Sequence, residues 1–143
     1  MLAPDFMIGL AYMVALVTYR EPVPPPPDPP VITEAVTQAH PQWLEDAYES
    51  AGIPSNLRAP LARIAWCESR WRPDAVGDGG LALGLHQVHW GLWFDWALSL
   101  GLVTESERTL WADAVVNSKV ALGVIRYEQQ RGQRIFGNWT CRP

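Results

Sequence analysis

The sequence predicts an all-α domain over residues 41–143, preceded by an apolar N-terminal segment and a proline-rich linker. Three observations carry this. Beyond residue 41, apolar residues recur at spacings of three and four, the period of one helix face. The segments with that pattern are closed by Gly52, Pro73, Gly101 and Gly132, residue types that stop helices. The stretch between them that lacks the pattern, residues 72–89, holds four glycines and reads as a loop with a small β-turn or hairpin.

Taken in order, the first eighteen residues, MLAPDFMIGLAYMVALVT, contain one charge, Asp5. The unbroken apolar run from Phe6 to Val17 is twelve residues long, and a membrane span takes about 20. Counting from Leu2 to Tyr19 reaches that length with Asp5 at the interface, so residues 1–20 are expected to anchor the chain in a membrane. A cleaved signal peptide is the competing reading, but no basic residue precedes the run and no small-x-small site follows it. A plain apolar helix is the third. Arg20, the one nearby basic side chain, specifies orientation weakly. Residues 21–30, EPVPPPPDPP, contain seven prolines. That density forbids helix and favours extended polyproline II, which at about 3.1 Å per residue reaches roughly 30 Å. Residues 21–40 therefore read as a stiff linker, suited to lifting a domain off a membrane.

The first helix of the domain is expected in PQWLEDAYESAG, with acidic residues early and Gly52 as the stop. The second is NLRAPLARIAWCESRW, with Asn56 as N-cap, Pro60 tolerated in the first turn and Pro73 ending it. The third is WGLWFDWALSLG. Thr104 followed by Glu107 is a capping-box pattern. It opens a segment, broken near Asp113, whose last helix places Val116, Val120, Val124 and Tyr127 on one face.

With 143 residues, 48% of them hydrophobic, the chain has material for one domain with a core. Eight tryptophans are many for this length, so some rings can line a groove. The formal charge of −4 gives no sign of a nucleic-acid binder.

The second helix carries a conflict. Leu57, Leu61, Ile64, Glu68 and Trp71 share one stripe, four apolar residues and one carboxylic acid. A buried carboxylate needs a partner or a proton. Glu68 is therefore either a structural acid paired with an arginine such as Arg63 or Arg72, or a general acid kept protonated by an apolar wall. Beside it stands Cys67. The chain's second cysteine, Cys141, lies near the C-terminus, and the two read as a bridge if the protein is exported, with two unrelated buried thiols as the alternative.

Glu68-Ser69 at a helix end, followed by Gly84-Leu85-His86-Gln87-Val88 in a glycine-rich loop and a late helix ending in Trp139 and Cys141, resembles the lysozyme-like superfamily that cleaves bacterial peptidoglycan. The likeness is to its lytic-transglycosylase and goose-type lysozyme branches, and to the small resuscitation-promoting and phage-type members. It covers residues 41–143. It implies a lysozyme-like helical fold and Glu68 as the acid that protonates the glycosidic oxygen between N-acetylmuramic acid and N-acetylglucosamine. It implies no cofactor, peptidoglycan glycan strands as partner, a cell-wall-space location and a Cys67–Cys141 bridge. Gln87 is expected to line the cleft, with Ser69 beside the acid, Gly84 allowing close approach of the sugar and Tyr127 hydrogen-bonding near the acid. Asp78 is the candidate second carboxylate for a hydrolase. A glycine-rich turn favours aspartate for backbone reasons as well.

The chain departs from both branches. Goose-type enzymes tend to carry aspartate just after the glutamine-valine pair, where this chain has His89. The alanine-tyrosine-asparagine motif of many transglycosylases is absent. Since transglycosylation needs no water-activating carboxylate, it is the preferred expectation, ahead of hydrolysis, a phage lysin, or a module that binds glycan without cutting it. Trp90, Trp93 and Trp96 read either as core or as sugar-stacking rings. His86 and His89 are three residues apart, but nothing supplies the remaining ligands of a zinc site, so no metal is expected.

Overall fold

The computed structural model describes residues 40–143. The expected anchor and most of the proline-rich linker lie outside the described residues. Among the described residues no helix is long and apolar enough to cross a membrane.

The domain mixes helices with a sheet, which corrects the all-α expectation. Among the described residues there are four α-helices, α1 (Gln42–Ser50), α2 (Ser55–Ser69), α3 (Trp90–Ser99) and α4 (Ala114–Gln130). Between α2 and α3 the glycine-rich stretch folds into a three-stranded antiparallel sheet, β1 (Val76–Gly77), β2 (Ala82–Leu83) and β3 (Val88–His89), in the order β1-β2-β3. Gly77 faces Ala82, and Ala82 faces His89. Each strand is two residues long, too short for alternation to show in the sequence.

Helix boundaries follow local chemistry. α2 starts at Ser55 after Pro54, one residue before the expected Asn56 cap, and Pro60 lies inside it. It stops four residues short of Pro73, because Arg70 and Trp71 both turn left-handed, with φ of 57° and 58°. The Thr104–Glu107 capping box forms, the Glu107 carboxylate accepting from the Thr104 N–H at 2.7 Å. It opens a single 3-10 turn, Glu105–Glu107, rather than a helix. α4 begins at Ala114, where the Asp113 carboxylate accepts from the Val116 N–H at 2.9 Å.

α4 is the central element. It packs on α1, α3 and β3, and its buried residues surround the helix rather than marking one face. Val116, Val120 and Val124 are joined by Asn117, Ala121, Ile125 and Glu128. Gly123 lets α3 approach closely, the Trp96 indole N–H donating to its carbonyl at 3.1 Å. Leu61 and Ile64 of α2 and Leu44 and Tyr48 of α1 complete the core.

Candidate active site

A cleft of about 380 Å³ opens where the end of α2, the sheet, α3 and the C-terminal tail meet over Val124 of α4. Glu68 lines it from α2, Asp78, Gln87, Val88 and His89 from the sheet region, Leu92 and Trp93 from α3, and Asn138, Trp139 and Thr140 from the tail.

Glu68 occupies the last turn of α2, one residue before the helix ends, and is half-buried. Leu57, Leu61 and Ile64 of its stripe are buried in the core. The stripe leaves the core at the final turn, and there the carboxyl group reaches the cleft. No arginine pairs with it among the described residues. Its hydrogen-bond donor is the Cys141 backbone N–H, at 3.2 Å from Oε1. The Cys67–Cys141 disulfide ties the same tail residue to the residue before Glu68, across a sequence separation of 74 and a Cα–Cα distance of 6.0 Å.

On the sheet side, the Asp78 carboxylate and the His89 Nε2 are 3.0 Å apart, and both side chains are exposed. Asp78 has φ of 49°, a left-handed conformation that aspartate tolerates. Gln87 shares that φ, which is less usual for its residue type and costs about 1 kcal/mol. Its side chain offsets the strain by donating to the Ala75 carbonyl at 3.0 Å and to the Gly84 carbonyl at 2.9 Å. Gln87 thus lines the cleft while its amide nitrogen braces the loop.

Three expected cleft residues serve behind it. Ser69 is buried, its hydroxyl 2.7 Å from the Leu85 carbonyl and 2.9 Å from that of Ala65, so it clasps the loop to the helix end and does not line the cleft. Gly84, with φ of 79°, faces α4 rather than a ligand. A side chain there would overlap Asn117 and the Trp111 carbonyl. Tyr127 does not reach the cleft. Its ring meets Trp93 and Trp96 edge-on, at 5.2 and 5.3 Å between centroids, and so buttresses the tryptophan that does. Of the tryptophan row, Trp90 is core, Trp96 is tied to α4, and Trp93 lines the cleft.

Sequence reasoning missed the hub that holds the loop. Asn117 is fully buried. Its Nδ2 donates to the Leu83 and Trp111 carbonyls, each at 3.1 Å. Its Oδ1 therefore accepts from the His86 backbone N–H and from the His86 ring at Nδ1, both at 3.0 Å. That places the ring proton on Nδ1, and Nε2 accepts from the Tyr48 hydroxyl at 3.1 Å. Burial lowers the His86 pKa to about 4, against an opposing pull from Asn117. Burial likewise pushes the Tyr48 phenol up. His86 is thus a neutral structural ring, while His89, three residues on, is at the surface. Among the described residues no group of histidine, cysteine, aspartate or glutamate side chains could hold a metal ion. An asparagine in the first turn of α4, directly after Val115 and Val116, was the available signal for Asn117.

No family model, curated protein or solved structure matches this chain. The reading of the cleft rests on its own chemistry. It holds a half-buried carboxyl group, an exposed aspartate–histidine pair, the tryptophans Trp93 and Trp139 and amide groups, a set suited to an uncharged polar ligand with apolar ring faces, such as a sugar.

Proposed function

We propose that the protein cleaves the glycosidic bond between N-acetylmuramic acid and N-acetylglucosamine in peptidoglycan, as a lytic transglycosylase. The observation that carries this is the placement of Glu68. It is a half-buried carboxyl group at a helix end, lining an open cleft and fixed by a backbone N–H rather than neutralised by a cation. In the proposed reaction Glu68 gives its proton to the glycosidic oxygen as the bond from that oxygen to the muramic C1 breaks. The resulting carboxylate then takes the proton of the muramic C6 hydroxyl as O6 bonds to C1. The product is a 1,6-anhydro sugar, and Glu68 ends protonated, as it began. Trp93 would offer a face to a sugar ring. Residues 1–20 and the proline-rich linker would place the domain in the cell-wall space.

Hydrolysis is the second reading, favoured by the presence of Asp78 in the same cleft. An inverting hydrolase would use such a carboxylate to activate water. The exposure of Asp78 and of its partner His89 supports the first reading, because no buried contact fixes that carboxylate for the activation of water.

The test is mass spectrometry of products from purified peptidoglycan treated with the full chain, beside Glu68→Gln. Anhydromuramic ends that vanish with the variant support transglycosylation. Reducing-end muramic acid indicates a hydrolase. Retention of the protein on glycan with no soluble product indicates a binding module and overturns both.

A further inference from the structure

Glu128 of α4 is fully buried, although it does not line the cleft. All its hydrogen-bond donors are neutral and come from one short piece of chain. Oε2 accepts from the Phe136 N–H at 2.7 Å. Oε1 accepts from the Asn138 N–H at 2.8 Å and from the Asn138 Nδ2 at 2.7 Å. A buried carboxylate satisfied by amides alone is an expensive way to hold a turn, since burial of charge has to be offset by those bonds. The residues just after that turn explain what it holds. Trp139 is buried, and its indole N–H donates to the His86 carbonyl at 2.7 Å. Thr140 lines the cleft, and Cys141 donates its N–H to Glu68.

We propose that Glu128 is a positioning residue for Glu68, acting through the C-terminal turn: it fixes residues 136–138, and the turn sets the Cys141 N–H against the Glu68 carboxyl group. The disulfide limits how far Cys141 can move. It does not aim the backbone N–H, because its bonds rotate about the side chain. Aim comes from the chain before Cys141, which is anchored at Glu128 and at Trp139. The catalytic part of this inference rests on the proposed role of Glu68. The positioning part does not.

The experiment uses the full chain with the disulfide intact. Glu128→Gln puts an amide donor where a carboxylate oxygen accepted, so an N–H of the turn meets another N–H. Gly137→Ala disturbs the same turn without replacing the glutamate, since an added methyl would lie 2.9 Å from the Arg134 carbonyl and 3.4 Å from Glu128 Oε1. It leaves every core side chain in place and serves where Glu128→Gln does not fold. The first readout is the Cys141 amide in a ¹H–¹⁵N spectrum. Glu68→Gln marks how far that resonance moves when its acceptor changes. Either turn variant is expected to move it comparably in folded protein, and to lower turnover about tenfold, as misplacement of a reacting group does, with KM little changed. A folded turn variant with an unmoved Cys141 resonance overturns the inference. So does one whose turnover matches wild type. If the wild type cuts no glycan, the resonance alone decides, and the positioning inference stands or falls apart from the proposed function.

Discussion

On the tail side of the cleft Glu68 is half-buried, held by the Cys141 N–H and backed by a disulfide, a buried tryptophan and a buried glutamate. On the sheet side Asp78 is exposed on a two-residue strand's turn, and its partner His89 is exposed as well. The two carboxyl groups share one cleft but not one kind of support. A group that must give and take back a proton at fixed atoms gains from a rigid, partly dry wall. A solvated pair at a rim is worth little in stability and is free to rearrange. Under the proposed function, the tail side would carry the chemistry and the sheet side the ligand contact.

The largest effect expected from breaking this asymmetry is on turnover. Glu68→Gln should lower glycan cleavage at least about 100-fold and leave retention on insoluble peptidoglycan intact, measured by product release and by sedimentation. Wild-type rates in this variant would remove Glu68 from the mechanism.

The next effect is on the hub behind both walls. Asn117→Ala strips the acceptor from the His86 backbone and ring N–H groups and the donor from two carbonyls. Unfolding in urea should show a loss of about 3 kcal/mol. A loss under about 1 kcal/mol would mean the loop is held by other contacts.

A smaller change comes with acid. His86 has a folded pKa of about 4, below the unfolded value of about 6.5. The unfolded chain therefore binds a proton that the folded chain does not across that window. The stability from neutral His86 is present above about pH 6.5 and is lost as pH falls toward 4. Between pH 7 and pH 5 urea unfolding should lose about 2 kcal/mol, and His86→Gln should flatten that slope. An equal slope in the variant would place the titrating group elsewhere.

The smallest effect belongs to the rim. Asp78→Asn is expected to keep turnover within about threefold of wild type, because no water has to be activated. A loss of 100-fold or so, the size of a lost general base, would transfer the chemistry to hydrolysis and give the sheet side a catalytic role.

Helices α1 to α4 were legible because each spans enough residues for the apolar period to repeat, and because Gly52, Gly101 and Gly132 follow the ends of three of them; the Thr104–Glu107 box was legible too, but it opens a 3-10 turn and not a helix. The sheet was not, since strands of two residues carry no alternation and are set by register with one another. Glu68 stood out as one acid on an apolar stripe, and the structure brings it to a cleft with Gln87 and Asp78. Ser69, Gly84 and Tyr127 were read toward the ligand, but their side chains or spaces are taken by the Leu85 carbonyl, Asn117 and two tryptophans. Local sequence shows which residue types stand near a cleft. It does not show which direction each faces, because partners 16 to 34 residues away decide that.

The bond between Cys67 and Cys141 has a topological meaning beyond its place beside Glu68. It closes the sheet, α3, α4 and the tail into one covalent ring, with α1 and most of α2 as a lead-in arm. A protease that cuts the ring once, for instance in the exposed run from Arg131 to Ile135, releases no fragment. The two new ends stay joined through sulfur, and on a non-reducing gel the nicked chain stays in one piece. Two cuts, or one cut and a reductant, are needed to part it.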